Sequence, residues 1–350
     1  MDELTLLRRL DAGAPDPSRQ TATDAFTALE QRMAAAEHAT RAHIAPRRRR
    51  TIRLRWAVLT TAGAAALAVA LVLTDTIGVA GIRPGATAQA AELLNKAADT
   101  TIRTIDPTVG PGQYRRVVFR SVHQVDGGNG KIEGVYSIHE DRTTWIPADP
   151  NNEWFQVRYP SRSAGQYFTK DAKQLAEYDD RMSSKVKPQI LHGKAANFFG
   201  GQQQTTPADV NGLPRDPRVL LNHIYRVTLG TGNSPDGEAL VFIADTLNTG
   251  FATASTRAAL FRAAALIPGV TLTAGSATLD GTTGVAIGRV EPKYGIRQDL
   301  IIDPATGEMI GEREVATRDL PDGTGKAGDT LSWSSATTTI VNEVPAQYRR

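Results

Sequence analysis

The sequence predicts an α+β fold: a curved antiparallel β-sheet with a helical block on one face, preceded by one transmembrane helix. Three observations lead to this prediction. An uncharged apolar run of 18 residues lies at positions 56–73. Downstream, segments that alternate between apolar and polar residues are grouped before and after a central block of helical periodicity. The turns between these strand segments are too short for parallel crossovers, so the strands are expected to pair antiparallel.

Residues 1–55 are predicted to form a cytoplasmic tail. Leu4, Leu7 and Leu10 lie at helical spacing, and a second helix is expected to begin at Thr23 or Asp24. Two short amphipathic helices beside a membrane would suit docking on a cytoplasmic partner. The alternative is a solvated tail whose basic end anchors to anionic lipid heads.

The apolar run predicts a transmembrane helix at residues 56–74, close to the ~20 residues that cross a bilayer. Two alternatives compete with it: a buried globular helix, and a cleaved signal peptide with a small-residue site near Ala88-Gln89-Ala90. An apolar surface on every side disfavours the first, and the long leader disfavours the second. The predicted membrane anchors are Trp56, Leu59, Leu67, Val69, Leu71 and Leu73.

Positive charge before the helix predicts its orientation. By the positive-inside rule, the N-terminus is cytoplasmic, and after a linker at 75–85 the domain at 86–350 is extracytoplasmic. The protein is therefore expected in the cell membrane as a single-pass protein with the lipid bilayer as a partner. The topology-determining residues are Arg47, Arg48, Arg49, Arg50, Arg53 and Arg55.

The amino-acid composition excludes several kinds of site from the outer domain. Residues 1–55 carry 11 Arg against 7 acidic residues, while the remainder carries 29 basic and 30 acidic residues, so no basic surplus for nucleic acid remains outside the tail. The chain has no cysteine, which excludes disulfides, thiolate metal sites and a cysteine nucleophile.

The outer domain is predicted to begin with a helix at 86–103, whose apolar face includes Leu93 and Leu94. Strands are expected next at 113–122, 132–139, 142–147 and 154–159. Three helices follow, opened by Asp216 or Pro217, by Asp236 and by Ser255. From Val270 five further strand segments are expected: VTLTAG, GVAIGRV, GIRQDLIID, MIGEREVA and SWSSATTTIVNEV, with a hairpin turn at Asp303–Gly307.

The sequence predicts no catalytic residues, no metal ligands and no cofactor, and the protein is not expected to be an enzyme. No histidine pair has the spacing of a zinc helix, although His123 and His139 could meet across a hairpin. The glycine turns ending in Lys131 and Lys326 lack the full phosphate-loop spacing. The adjacent acids Asp179 and Asp180 are expected to point apart on a helix, and Glu312 with Glu314 are interpreted as the solvated face of a strand.

Aromatic residues concentrate between positions 145 and 168. They are interpreted as the core of the first sheet, with a groove for an apolar ligand as the alternative. The six residues are Trp145, Trp154, Phe155, Tyr159, Tyr167 and Phe168.

The chain resembles an actinobacterial family of single-pass proteins of unknown function that is often found with extracytoplasmic-function sigma factors. The resemblance covers the N-terminal MDELTLLRRL, the Arg-rich stop before the membrane helix and, most specifically, GVAIGRVEPKYGIRQDLIIDPATGEMIGEREV at 284–315. That family has no established catalytic residues. The repeated strand-turn-strand units also look like the half-barrel sheets of bacterial lipoprotein carriers and sigma-regulator sensor domains.

The leading functional hypothesis is a membrane-anchored sensor or binding protein whose tail contacts a cytoplasmic regulator such as a sigma factor. The second is a tethered module that binds a lipid, a lipopeptide or another apolar ligand outside the membrane. The third, an envelope hydrolase, requires clustered titratable residues in a cleft.

Overall fold

Residues 84–198 and 205–349 are described by a computed structural model. The predicted tail, the transmembrane helix at 56–74 and the arginines before it lie outside the described residues. Within those two ranges, no helix has the length and apolar character needed to cross a bilayer.

Strands lie on either side of a helical block, as predicted, and the segment 162–211 adds two strands and two helices that the sequence did not predict. The helices are α1 (Ala88–Thr101), α2 (Ala172–Ser183), α3 (Pro207–Asn211), α4 (Pro217–Val227), α5 (Pro235–Asn248) and α6 (Ala254–Ala264). The strands are β1 (Tyr114–Gly128), β2 (Glu133–Pro147), β3 (Glu153–Arg158), β4 (Arg162–Tyr167), β5 (Gln189–Lys194), β6 (Val270–Leu279), β7 (Thr282–Glu291), β8 (Ile296–Ile302), β9 (Met309–Ala316) and β10 (Thr330–Val341).

The ten strands of the described residues form one open antiparallel sheet. Its order is β5-β3-β2-β1-β10-β9-β8-β7-β6, and β4 pairs with the outer half of β2. The pairing of β1 with β10 joins the strands before the helical block to the strands after it. The α+β prediction and the antiparallel prediction are both confirmed.

The contact between Asp280 and Arg120 shows that the sheet curls. Asp280 lies in the β6–β7 turn, and its carboxylate is 3.1 Å from Arg120 Nη1 on β1. Five strand spacings separate β6 from β1 in the sheet order. In a flat sheet these two strands would be roughly 24 Å apart. The corner that carries the β6–β7 turn must therefore fold over the face of β10 and β1.

The largest core lies between the sheet and helices α1, α4, α5 and α6. Leu94 of α1, Leu240 of α5 and Phe261 of α6 are at most 1% exposed, and they belong to the same cluster as Ile287 and Leu300 of the sheet. Each such side chain contributes on the order of 2 kcal/mol by its burial. We call the side of the sheet that faces α5 the helical face.

A second apolar cluster covers the opposite face of the sheet near its first half. Trp145, Phe155 and Val157 are buried there together with Val344, which follows β10. The ring of Trp145 is 5.6 Å from that of Tyr348. The C-terminal residues therefore shield a face that would otherwise expose large aromatic side chains.

Several predicted boundaries need correction. The predicted strands at 132–139 and 142–147 are one continuous strand, β2. Helix α5 is capped by Ser234 and helix α6 begins after Thr253, where Asp236 and Ser255 were predicted to open these helices. The prediction for α4 is confirmed, because the Asp216 carboxylate accepts hydrogen bonds from two backbone amides of its first turn.

Candidate binding pocket

A cavity of about 200 Å³ lies on the helical face, between strands β1 to β3 and the segment that follows α5. The antiparallel pairing of the strands decides which side chains form the floor of this cavity. Phe119 pairs with Arg142, and Val117 pairs with Thr144, which in turn pairs with Gln156. Directly opposed residues point to the same face of a sheet, so these five side chains form one continuous surface.

The apolar wall of the pocket is aromatic. Trp154 packs edge-to-face on Phe251 with 5.7 Å between the ring centroids, and Phe198 completes the cluster. The indole of Trp154 is fixed because its Nε1 donates to the carbonyl oxygen of Pro150 at 2.7 Å. Phe198 and Thr205, the two residues that bound the stretch 199–204, both line the pocket.

Arg142 supplies the positive charge of the pocket. Its guanidinium carbon lies 3.7 Å from the ring centroid of Phe119, a cation–π contact. No carboxylate lies within 4.0 Å of this guanidinium in the described part of the chain. Burial and the charge of Arg158 lower the pKa of Arg142, and Glu140 and Asp245 act in the opposite direction. The side chain stays protonated at physiological pH, as arginine does in proteins.

Neighbouring polar groups hold the floor in place. Gln156 Nε2 donates to Thr144 Oγ1 at 3.1 Å, and Gln156 Oε1 accepts from Arg158 Nε at 2.8 Å. These bonds fix the Gln156 amide, which lines the same cavity as Arg142.

A buried carboxyl group, that of Glu312, lies behind Asn248 at the end of α5. Glu312 Oε1 accepts from Asn248 Nδ2 at 3.1 Å and from Ser334 Oγ at 2.9 Å, and Oε2 accepts from Gln298 Nε2 at 2.8 Å. Burial, and then the negative charge of Asp245, raise the pKa of Glu312 to about 7, although the three hydrogen bonds oppose this shift. The last turn of α5 is thus tied to β8, β9 and β10 through one titratable group.

The interpretation of Glu312 and Glu314 as solvated surface is wrong. Both side chains lie on the helical face of β9, and burial raises the pKa of each. Alternation along β9 was read correctly, but the covering helix α5 is 64 residues away in sequence from Glu312 at its Asn248 contact. No local pattern reveals such a cover.

The other residues that the sequence singled out do not form a common site. His123 and His139 do not meet: His123 lies 3.7 Å from Glu140, whereas His139 points to the other face and packs on Trp333. The carboxylates of Asp179 and Asp180 bind Tyr136 and the backbone of Ser163, so they attach α2 to the sheet. In the described ranges, no group of three or more His, Asp or Glu side chains is arranged to hold a metal.

The aromatic stretch divides between the two faces of the sheet. Trp145 and Phe155 belong to the core of the opposite face, while Trp154 lines the pocket. Neighbouring strand residues point to opposite faces, which is why Trp154 and Phe155 separate.

Two pocket residues, Arg142 and Asn248, were not predicted from the sequence. Arg142 lies four residues before Ile146 on one strand, so the two side chains point to the same face of the sheet. Ile146 is 2% exposed, which shows that this face is covered.

No family model matches the chain, and the search of curated proteins gives no match. The resemblance to the actinobacterial family therefore stays a prediction. Solved structures match at low identity and low TM-score. A chain from the Pseudomonas aeruginosa MucA/MucB complex is 11% identical with a TM-score of 0.23; the match covers 75% of this chain and 61%, less than two thirds, of that chain.

Two further solved structures are similar over most of their own length. A DUF1329 family protein from Desulfovibrio piger is 9% identical, with 73% of this chain and 93% of that chain covered and a TM-score of 0.20. A LolA superfamily protein from Nitrosomonas europaea is 10% identical, with 74% and 96% covered and a TM-score of 0.18. Scores at this level carry no inference about this chain, and the pocket is interpreted from its own residues.

Proposed function

We propose that this chain is a membrane-anchored extracytoplasmic binding protein that holds a small amphiphilic anion in the pocket on its helical face. The observation that carries the proposal is Arg142, a partly buried cation without a carboxylate partner within 4.0 Å in the described residues, facing a cavity with an aromatic wall. A partly buried charge is costly unless it is paired, so an anionic ligand group would supply the missing partner.

The size and lining of the pocket restrict the ligand class. About 200 Å³ is below the volumes that enclose drug-sized ligands, which begin at roughly 300 Å³. Side chains such as Leu240 and Ile287 fill the rest of the helical face, which leaves no long apolar channel among the described residues. A carboxylate or phosphate on one short apolar or aromatic group fits better than a lipid with two chains.

We propose binding without catalysis. Glu312 contacts the lining residue Asn248, and its two oxygens already accept three hydrogen bonds from the protein. An acid or base must reach the reacting atom directly or through one water. Glu312 lies behind Asn248 and is occupied in holding α5.

The test uses the full-length chain in lipid nanodiscs and 4-phenylbutyrate, a carboxylate with one aromatic group, in equilibrium dialysis against empty nanodiscs. We expect saturable binding, at least tenfold weaker for the uncharged 4-phenylbutyramide, because a hydrogen bond to a charged group contributes about 1.5–3 kcal/mol. Arg142→Gln should weaken carboxylate binding by a similar factor, and Arg142→Lys should retain part of it.

The matched control is Arg218→Gln, which removes an exposed arginine of α4 that is absent from the pocket lining. It should bind 4-phenylbutyrate as the parent chain does. If the parent protein bound the acid and the amide equally, the assignment of an anion to Arg142 would be abandoned, whatever the stability of the variants.

We propose in addition that the tail at 1–55 transmits occupancy to a cytoplasmic regulator such as a sigma factor. The support is the two-sided layout of the sequence, with a tail, an apolar run and a large domain. Deletion of residues 2–45, which leaves the arginine cluster, should change sigma-dependent transcription and should remove crosslinked cytoplasmic partners. Unchanged transcription together with unchanged partners would refute this regulatory role.

A further inference from the structure

A second cavity, of about 220 Å³, lies on the opposite face of the sheet. It is formed where the β6–β7 turn folds over β9 and β10. Asp280 and Arg313 are on its wall together with Trp333, Gln166 and Thr330. The helical-face pocket shares none of these residues.

The β6–β7 turn builds one side of this cavity. Asp280 and Gly281 have φ values of +47° and +80°, the left-handed pair expected of a two-residue type I′ hairpin turn. The Asp280 carboxylate accepts hydrogen bonds from Arg120 and from Ser335 Oγ at 3.3 Å. These contacts fix the turn over the sheet and preform the cavity.

The two charged side chains on the wall already have ion-pair partners within the protein. Asp280 is paired with Arg120 at 3.1 Å, and Arg313 Nε lies 3.1 Å from Asp299, which is fully buried. The lining thus contains one acid and one base, and each has an ion-pair partner within the protein; Arg313 shares Asp299 with Arg297, whose Nε lies 2.7 Å from the same carboxylate. A cavity of this kind has no unpaired charge to attract an ionic ligand.

Three neutral polar groups on the wall have hydrogen-bonding capacity to spare. The Gln166 amide, the Thr330 hydroxyl and the Trp333 indole N–H make no hydrogen bond to any other described residue. Together they offer both donors and acceptors. The indole packs edge-to-face with His139, with 6.3 Å between ring centroids.

We propose that this second cavity binds a neutral sugar residue. A pyranose ring presents an apolar C–H face that suits an indole, and its rim of hydroxyls can both donate to and accept from groups such as Gln166 and Thr330. The cavity volume matches one ring rather than an oligosaccharide chain. Neither Arg142 nor the proposed anion takes part in this site.

The experiment is saturation-transfer NMR on the full-length chain in nanodiscs, with methyl β-glucoside as the probe. Sorbitol, a linear polyol without a ring face, and glucuronate, an acidic sugar, are the comparison ligands. We expect transfer to methyl β-glucoside that saturates with concentration, and binding at least threefold weaker for both comparison ligands. Gln166→Ala should weaken glucoside binding severalfold, and Trp333→Phe should weaken it by about tenfold.

Gln189→Ala is the matched control, because it removes an exposed strand glutamine on β5 that is absent from the lining. It should leave glucoside binding unchanged. Gln166 is exposed on β4, so its truncation tests the site even if Trp333→Phe fails to fold. Equal binding of glucoside and sorbitol, tighter binding of glucuronate, or glucoside binding unaffected by Gln166→Ala would each overturn the proposal.

Discussion

At the scale of single residues, Glu312 is the group whose environment departs furthest from its surface appearance in sequence. The pKa of this carboxyl group is about 7 in the folded protein and near 4.5 in the unfolded chain. Between these two pH values the folded protein holds a proton on Glu312 that the unfolded chain releases. The resulting stabilisation is fully present below pH 4.5 and is lost as the pH rises through 7. A shift of this size corresponds to roughly 3 kcal/mol.

Glu312→Gln should therefore remove a pH dependence of stability. We expect the free energy of unfolding of the parent chain to fall by roughly 2–3 kcal/mol between pH 5.5 and 8.5, and the variant to be the more stable of the two at pH 8.5. Tryptophan fluorescence of the full-length chain in urea at each pH measures this difference.

Glu308→Gln provides the control, because Glu308 is an exposed acid in the neighbouring β8–β9 turn. Its pH profile should follow that of the parent chain. A Glu312→Gln profile parallel to the parent profile over this pH range would show that Glu312 is ionised without penalty in the fold.

At the scale of elements, helix α6 is capped by a residue from a distant loop. Thr253 makes no side-chain capping bond, and instead Asp106 Oδ2 accepts from the backbone N–H of Ala254 at 2.7 Å. Asp106 Oδ1 also accepts from Arg257 Nη1 at 3.0 Å. One carboxylate thus satisfies an exposed helix end and anchors the segment that links α1 to β1.

Asp106→Ala should destabilise the fold by about 1–3 kcal/mol, because it removes both a helix cap and a partly buried ion pair. The matched change is Asp99→Ala, which breaks a pair with Arg262 of the same helix at a site where the Asp side chain is 60% exposed. That change should cost under about 1 kcal/mol. Urea denaturation of both variants distinguishes the two effects, and equal losses would contradict a capping role for Asp106.

The β8–β9 turn docks on α1 through a glycine. Gly307 has φ +70°, and a Cβ built on it would lie 2.4 Å from the carbonyl oxygen of Ala97. Gly307→Ala should cost about 2–4 kcal/mol, since it adds a steric clash with rigid backbone to the strain of a left-handed alanine. Gly323 also has a positive φ, +75°, but a Cβ built on it would have no atom within 4 Å. Gly323→Ala is therefore expected to cost about 1 kcal/mol of stability. Thermal unfolding compares them, and similar losses would mean that the turn moves away from α1 without cost.

Local patterns were sufficient to predict most elements and insufficient to predict the pocket. The predicted segment MIGEREVA coincides with β9, because a clear turn precedes it and alternation persists through it. Helix α2 was missed because its buried surface consists of Leu175 and small alanines, too little for a periodic signal. The pocket brings residues 142 and 248 together across the fold, and this juxtaposition follows from sheet register and helix docking, which no short window of sequence contains.

At the scale of the whole molecule, the two proposed sites differ in charge and in face. The helical-face pocket combines an aromatic wall with an arginine that has no carboxylate within 4.0 Å among the described residues, whereas the charged groups of the opposite cavity have ion-pair partners. Ligand binding at one site is expected to leave the other unaffected, since no residue lines both. The two proposals can therefore fail independently of one another.

The proposed topology is testable with little background because the chain has no cysteine. We expect a membrane-impermeant maleimide, added to whole cells, to label Lys131→Cys, which is exposed in the β1–β2 turn of the outer domain. Ser18→Cys in the tail should be labelled only after the membrane is broken, because the six arginines at positions 47–55 oppose translocation. Labelling of Ser18→Cys in intact cells would invert the topology, and a labelled Lys131→Cys protein shortened by about 90 residues would indicate a cleaved signal peptide instead of an anchor.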